Sequence, residues 1–269
     1  MSVFAVSMFK DEEDVVEGVL GHLEAQGVHG IIVADNRSTD RTRERLESTA
    51  AELRKKRSIE IDIVDDPEPG YYQSRKMTAL AARAAARGAT FIVPFDADEL
   101  WHPADGSTLA TFFARISRHH HVVHARLFNY FSSSRDDPAE PSPFRRLQWR
   151  HEPPGRLPKV AVRWHQSLVI QQGNHSASFK FAARAVAGLV VRHYPYRSFE
   201  HFVRKARNGK AAYDSAPELP RDQGAHWRDY GQILEQGGED ALRAVWERWF
   251  HHAEPERELV HDPYAVIAR

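Results

Sequence analysis

The sequence predicts an α/β fold with a mostly parallel central sheet and helices on both faces. Three observations carry this. Strand-like and helix-like segments alternate through the first half of the chain, the pattern of parallel strands joined by crossover helices. The strand-like runs are short and almost wholly apolar, as in strands covered on both faces. Two of them, Gly30–Ala34 and Thr90–Phe95, end abruptly in carboxylates, and ligand sites in open α/β sheets lie beyond the carboxyl ends of the strands.

Taken in order, Val3–Met8 reads as a first strand. Asp11–Gln26 reads as an amphipathic helix with Val15, Val16, Val19, Leu20 and Leu23 on one face and four acids in its first turn, where the helix dipole favours them. A second strand ends at Ala34, and Ser38, Thr39 and Asp40 are good caps for a helix over Arg41–Lys56. Ile59–Val64 is a third strand, Gln73–Arg87 an Ala-rich helix, and Thr90–Phe95 the fourth strand. Beyond it come a helix at Asp105–Arg118, an alternating strand at His121–Phe131, and a polar, Pro-containing loop at Ser132–Pro143. Strands at Ser167–Gln171 and Ala185–Arg192 flank a turn at Gly173–Ser176, and Ser198–Ala212 and Glu239–His252 read as helices. Pro217–Gly238 is poor in apolar residues and gives no clear pattern. No repeat or long linker divides the chain. One domain over 1–269 is expected, in two halves, 1–118 and 119–269, the second ending in helices.

Lys plus Arg and Asp plus Glu number 37 each. A formally neutral chain argues against a general nucleic-acid binder. The absence of cysteine excludes disulfides and thiolate metal sites. Neither a signal peptide nor an apolar run of membrane-spanning length is read from the sequence. The expected compartment is the cytoplasm, free or peripheral at a membrane.

The chemistry starts at Asp96-Ala97-Asp98-Glu99. Alternation along an extended segment sends Asp96 and Asp98 to one side, where they repel unless a cation lies between them. Hard carboxylate oxygens suit Mg or Mn. A plain acidic turn is the competing reading. Asp35, at the end of its own strand, is placed to accept hydrogen bonds from a nucleoside, or merely to turn the chain. No Gly-x-Gly-x-x-Gly or Walker A pattern follows any strand.

Three clusters occur in order: Lys10-Asp11-Glu12-Glu13, Asp35-Asn36-Arg37-Ser38-Thr39-Asp40-Arg41-Thr42, and Phe95-Asp96-Ala97-Asp98-Glu99. Together they resemble the family 2 glycosyltransferases of the GT-A fold, whose patterns are an N-E-E-like start, D-x-G-S-x-D-x-T and D-x-D. Lys159, His175 and His193-Tyr194-Pro195-Tyr196-Arg197-Ser198, with Phe202 and Lys205, resemble a subgroup with a DxDE motif and a late HYxYRS motif. The likeness covers about residues 3 to 213. Arg37 departs from the usual Gly and Asp11 from the usual Asn.

The resemblance implies a glycosyltransferase that moves a sugar from a nucleotide-diphosphate-sugar to an acceptor hydroxyl, metal-dependent and inverting by direct displacement. The acceptor is a glycan, a lipid-linked group or a small molecule. It implies donor-side roles for Lys10, Glu12, Asp35, Arg75, Lys76, Asp96 and Lys205. It implies a divalent Mn or Mg held by Asp96 and Asp98, with His193 and His175 as further candidates. Asp98 and Glu99 lie at the catalytic centre. The general base stays open among Glu99, Asp137 and Glu152. The alternatives are a sugar nucleotidyltransferase, for which Ser7–Asp11 lacks the needed glycine, and a non-catalytic sugar-nucleotide-binding protein of the same fold.

Overall fold

In the computed structural model, residues 1–56 and 59–265 are described. β1 (Val3–Phe9) leads to α1 (Val16–Ala25), β2 (Gly30–Asp35), α2 (Thr42–Lys55), β3 (Glu60–Asp65), α3 (Gln73–Ala86) and β4 (Phe91–Pro94). These four strands pair in the order β4-β1-β2-β3, all parallel. The expected α/β architecture is therefore present, and its parallel core is built from the first half of the chain. Val3, Ala5, Ile31 and Val33 face one helical layer, while Phe4, Val6 and Ile32 pack against α3 through Met77, Leu80 and Ala84. Both faces are covered, which is why the strands read as unbroken apolar runs.

The chain then departs from simple alternation. β5 (Glu99–Pro103) follows the Asp pair at once, then α4 (Leu109–Arg115) and the long β6 (His120–Ser133). α5 (Pro143–Arg146), β7 (Trp149–Arg150), β8 (Lys159–Arg163), β9 (Val169–Ile170), a 3-10 turn at Gln172–Asn174, β10 (Ala177–Ser178) and β11 (Arg184–His193) complete the sheet region. β8 joins β4 and β6 antiparallel, and β11 lies between β5 and β6. The second half thus extends the same sheet. Last come α6 (Phe199–Asp214), α7 (Ala225–Trp249), β12 (His251–His252), α8 (Pro255–Glu258) and β13 (Val260–His261). α6 and α7 share a core of Phe202, Val203, Ala206, Leu242 and Trp246.

Four differences from the sequence reading have physical causes. α1 begins at Val16, not Asp11, because Asp11 takes φ 54° and its carboxylate accepts from the backbone of Thr39 at 2.6 Å. The acids Asp11–Asp14 therefore form a loop rather than a first helical turn. β5 and β8 were not anticipated: Glu99–Pro103 has only a short apolar stretch, and Lys159–Arg163 opens on a lysine. The segment without a pattern is largely helix, since α7 runs through to Trp249 with a kink at Gly238, whose φ 67° and ψ −167° only glycine adopts readily. The Ser132–Pro143 loop is tied down, with Asp136 accepting from Ser133, Arg135 paired with Glu256 at 2.8 Å, and Ser134 Oγ donating to the Ala253 carbonyl at 2.7 Å.

Candidate active site

The acidic turn sits between β4 and β5. The Glu99 amide donates to the Asp96 carbonyl at 3.0 Å, and the Asp96 amide donates to Glu99 Oε2 at 3.1 Å. β5 pairs antiparallel with β11, which sets His193 opposite Glu99. The Tyr194 amide donates to the Asp98 carbonyl at 2.9 Å and fixes the junction. A sheet register thus brings the late His-Tyr-Pro-Tyr-Arg-Ser stretch onto the Asp pair.

Asp98 is buried, and its Oδ2 accepts from Lys205 Nζ at 2.5 Å. Arg197 stands 3.9 Å from the same oxygen. Burial opposes ionisation, yet Lys205, His193 and Arg197 hold this carboxyl below its ordinary range. On the other side, Asp98 Oδ1 faces His193 Nε2 at 3.5 Å. His193 Nδ1 lies 2.7 Å from Asn129 Oδ1. Burial lowers the His193 pKa to about 4, so the ring is neutral near pH 7. With the Asn129 amide oxygen facing it, Nδ1 carries the ring proton and Nε2 presents a lone pair to the Asp98 carboxylate; with that amide turned over, Nε2 carries the proton and donates to Asp98.

Asp96 points elsewhere. Its Oδ2 pairs with Lys159 Nζ at 2.5 Å, and its Oδ1 accepts from Gln73 and Asn174, each at 3.1 Å. Lys159 also lies 2.8 Å from Glu99 Oε1. Burial works against its charge, but Asp96 and Glu99 raise its pKa. Glu99 is fully buried and accepts from the Trp101 indole at 3.0 Å; burial and the neighbouring Asp96 push its pKa up to about 7 against the pull of Lys159.

A second charged cluster joins the N-terminal loop to α6. The buried Arg197 guanidinium contacts Glu12 and donates to Asp14 at 2.6 and 2.8 Å. Lys205 and His201 each approach Glu12 to 3.5 Å. Burial disfavours the Glu12 carboxylate, but Arg197 and Lys205 hold its pKa well below the usual value. Glu12 therefore orders the loop against α6, and its place outside α1 removes the helix-dipole role.

The loops after β1 and β2 interlock. Asp11 Oδ2 accepts from Asn208 at 2.7 Å, and Lys10 Nζ donates to the Arg37 carbonyl. Asp35 is buried at the mouth, accepting from the Ser38 amide at 3.2 Å, with Arg43 at 4.0 Å. Lys76 pairs with Asp66 at 2.6 Å, and Asn36 donates to the same Asp66 oxygen at 2.8 Å. Arg75 points outward, pairs with Glu68 at 2.5 Å and covers the Tyr72 ring.

Not every expected residue converges. His175 directs Nδ1 to the Pro158 carbonyl at 2.9 Å. Among the described residues no three His, Asp or Glu side chains gather as a metal cage, so the four expected ligands do not form one shell. Asp137 accepts from the Ala139 amide in its own loop. Glu152 pairs with Arg150 at 2.5 Å, on the sheet face away from His193. Gln73, Asn129, Asn174, His201 and Asn208 escaped the sequence reading. So did Tyr71, whose ring packs 5.1 Å from Tyr213 and whose pKa is raised well above normal by burial and then by Asp96, Asp98 and Glu99. Neutral amides carry no charge pattern, and their partners are distant in sequence.

A parallel sheet with acids at its strand ends, and α6 meeting them through Lys205, makes this an α/β protein with a charged site beyond its strands. The model of glycosyl transferase family 2 matches residues 5–180. The chain belongs to that family, and the GT-A expectation stands. No curated protein sequence matches the chain. Among solved structures it is similar to Staphylococcus aureus TarS 1–349 in complex with UDP, at 12% identity and TM-score 0.41, covering 93% of this chain and 91% of that one. It is also similar to the mannosyltransferase PcManGT from Pyrobaculum calidifontis in complex with GDP-Man and Mn2+, at 15% identity and TM-score 0.48, covering 92% and 75%. Glucosyl-3-phosphoglycerate synthase from Mycobacterium tuberculosis aligns at 20% identity and TM-score 0.32 over 47% of this chain and 43% of that one.

Proposed function

We propose that the protein transfers a sugar from a nucleotide-diphosphate-sugar to an acceptor hydroxyl, with a divalent metal, by direct displacement and inversion at the anomeric carbon. The observation that carries the metal is the meeting of Asp98 and His193. A carboxylate oxygen and a neutral imidazole nitrogen face each other at 3.5 Å. In the tautomer protonated on Nδ1 these are two acceptors, an arrangement that a cation between them would satisfy. The hard carboxylate oxygen suits Mn or Mg, while the imidazole is a softer ligand.

Asp98 and His193 would hold the ion, which when bound would neutralise charge on the diphosphate. Lys205, which pairs with Asp98, would supply positive charge to the leaving group, whose negative charge grows as the bond to the sugar breaks. Asp35, beside Asn36 and Asp66, faces the nucleoside. Lys159 and Asn174 hold Asp96 at the mouth of the site. Glu99 braces the turn, because its oxygens are engaged by the Asp96 amide, Trp101 and Lys159. Inversion is supported by the state of the carboxylates. Asp96, Asp98 and Glu12 are each ion-paired, so none is a free nucleophile for a covalent glycosyl intermediate. The second half extends the sheet of the first, which supports a single domain with the acceptor side formed by the later strands and α6.

The test is sugar transfer and donor hydrolysis across UDP-, GDP- and dTDP-sugars, with Mn, with Mg and with EDTA. Transfer that requires the ion and is lost in Asp98→Asn supports the reading. Undiminished transfer in EDTA removes the metal. Binding without turnover for every donor and acceptor would leave a sugar-nucleotide-binding protein.

A further inference from the structure

On the sheet face away from His193 and Asn129 lies a second polar cleft of about 240 Å³, lined by Arg126, Phe128, Arg150, Arg192, Glu152 and Asp262 among others. The register separates it from the transfer site. Val190 stands opposite Arg126 and Arg192 opposite Phe128, and the next pair along is His193 and Asn129. Successive side chains of a strand point to opposite faces, so Arg126, Phe128 and Arg192 share the face that His193 and Asn129 do not.

Three guanidiniums converge on two rings. Arg150 lies 4.3 Å and Arg126 5.5 Å from the Phe128 ring centre, and Arg192 lies 5.3 Å from that of Tyr130. Against them stand two carboxylates. Asp262 accepts from Arg150 at 2.8 Å, from Arg192 at 2.8 Å and from the Tyr130 hydroxyl at 2.7 Å. Glu152 pairs with Arg150 at 2.5 Å. Among the described residues three positive charges thus meet two negative ones, and the cation without an ionic partner is Arg126, which is exposed and lies against the Phe128 ring. Planar guanidinium forks over aromatic floors suit tetrahedral oxyanions.

We propose that this cleft is a second ligand site, for a phosphate group, with Arg126 and Arg150 as its donors and Asp262 as an internal anion that the ligand partly displaces. Asp262 already shows that the pocket accepts an oxyanion, holding one through three donors at hydrogen-bond distance. It lies on the chain just past β13, so it reaches the cleft as part of a terminal strap and not as part of the sheet. The site does not depend on the metal or on the transfer chemistry.

The experiment is calorimetric titration with inorganic phosphate at constant ionic strength, with sodium chloride as control. The expected result is saturable binding by the wild type, weakened at least tenfold in Arg126→Gln, about 1.4 kcal/mol, and tightened in Asp262→Asn. Arg126 is exposed, so an unchanged melting temperature will show that the variant is folded. Vesicles containing phosphatidate, set against phosphatidylcholine alone, separate the sources. Cosedimentation that Arg126→Gln abolishes assigns a lipid headgroup, whereas phosphate binding without cosedimentation assigns a free phosphate or a soluble ester. No saturable heat in the wild type, or equal affinity in Arg126→Gln, overturns the proposal.

Discussion

Replacing Arg197 with Met should be the most damaging single change near the site. The guanidinium is wholly buried and meets Glu12, Asp14 and, at 3.9 Å, Asp98. Met retains much of the packing and removes the charge. Glu12 would keep only Lys205 and His201, each at 3.5 Å. Breaking a buried pair by removing one partner costs about 3–5 kcal/mol, a large share of a total stability of about 5–15 kcal/mol. The pH dependence gives the sharper test. In the wild type the Glu12 and Asp14 pKa values are depressed. Their contribution is present above the unfolded carboxylate pKa and is lost as pH falls through the lower folded value. In the variant both carboxyls lose their main cation, and folding favours the protonated form of the buried Glu12. The deficit should therefore be largest near pH 7 and shrink as pH falls below about 5. Urea unfolding of both proteins at pH 7 and pH 4.5 measures it. In a double-mutant cycle, Glu12→Gln with Arg197→Met should cost less than the sum of the singles. A deficit under about 1 kcal/mol, well short of the expected loss, or one that is the same at both pH values, would refute the role of this ion pair.

Three further outcomes follow from the site. Asp35→Ala should raise the donor dissociation constant about tenfold to a hundredfold, the scale of one or two charge-assisted hydrogen bonds; unchanged calorimetric affinity for the nucleoside diphosphate would remove Asp35 from the site. His193, already neutral with a pKa of about 4, should impose no loss of activity between pH 6 and pH 8, so a wild-type pH profile with a histidine-like limb that disappears in His193→Gln would contradict its assignment. Hydrogen exchange in the Ser132–Pro143 loop should change little when donor and metal are added together, because the loop is braced on Ala253 and Glu256; strong ligand-dependent slowing would show that the loop closes on the ligands.

The parallel half of the fold was open to reading because its strands are buried on both faces and its connections are helical, so periodicity and punctuation agree. Asp35, Asp96 and Asp98 were visible for the same reason: a carboxylate where an apolar run stops needs an explanation. The second half hides its logic in pairing. Nothing local in Lys159–Arg163 says that it will join β4, and nothing in Asn129 says that a strand register will set it under His193. Arg197 stood in a recognisable motif, but its partners lie more than 180 positions away in sequence. The acids after β1 misled because a helix N-terminus and an acidic loop share the same composition. What separates them is whether Ser38, Thr39 and Thr42 arrive from elsewhere to occupy the loop's hydrogen bonds.

The charge of the assembled site leads to the last prediction. Asp96, Asp98, Glu12 and Asp14 face Lys159, Lys205 and Arg197 through the ion pairs described, and Glu99 adds a fifth carboxyl that titrates near neutrality. The histidines His193 and His201 contribute no charge, since burial lowers both to about 4. Anions therefore outnumber cations around a centre where Glu12, Asp98 and Glu99 are buried, although Asp14 is exposed, and uncompensated charge is most unfavourable where it is buried. A divalent cation at Asp98 and His193 would relieve the excess and free Lys205 for the diphosphate. Binding to the native state alone stabilises by an amount that grows with ligand concentration, about 2.7 kcal/mol at a hundred times the dissociation constant. Mn or Mg should accordingly raise the melting temperature of the wild type in the absence of any donor. Asp98→Asn removes both a ligand and the partner of Lys205, so it should melt below the wild type without metal and fail to shift when metal is added. A metal-induced shift of equal size in Asp98→Asn would place the ion elsewhere and leave Lys205 as the resident cation of the site.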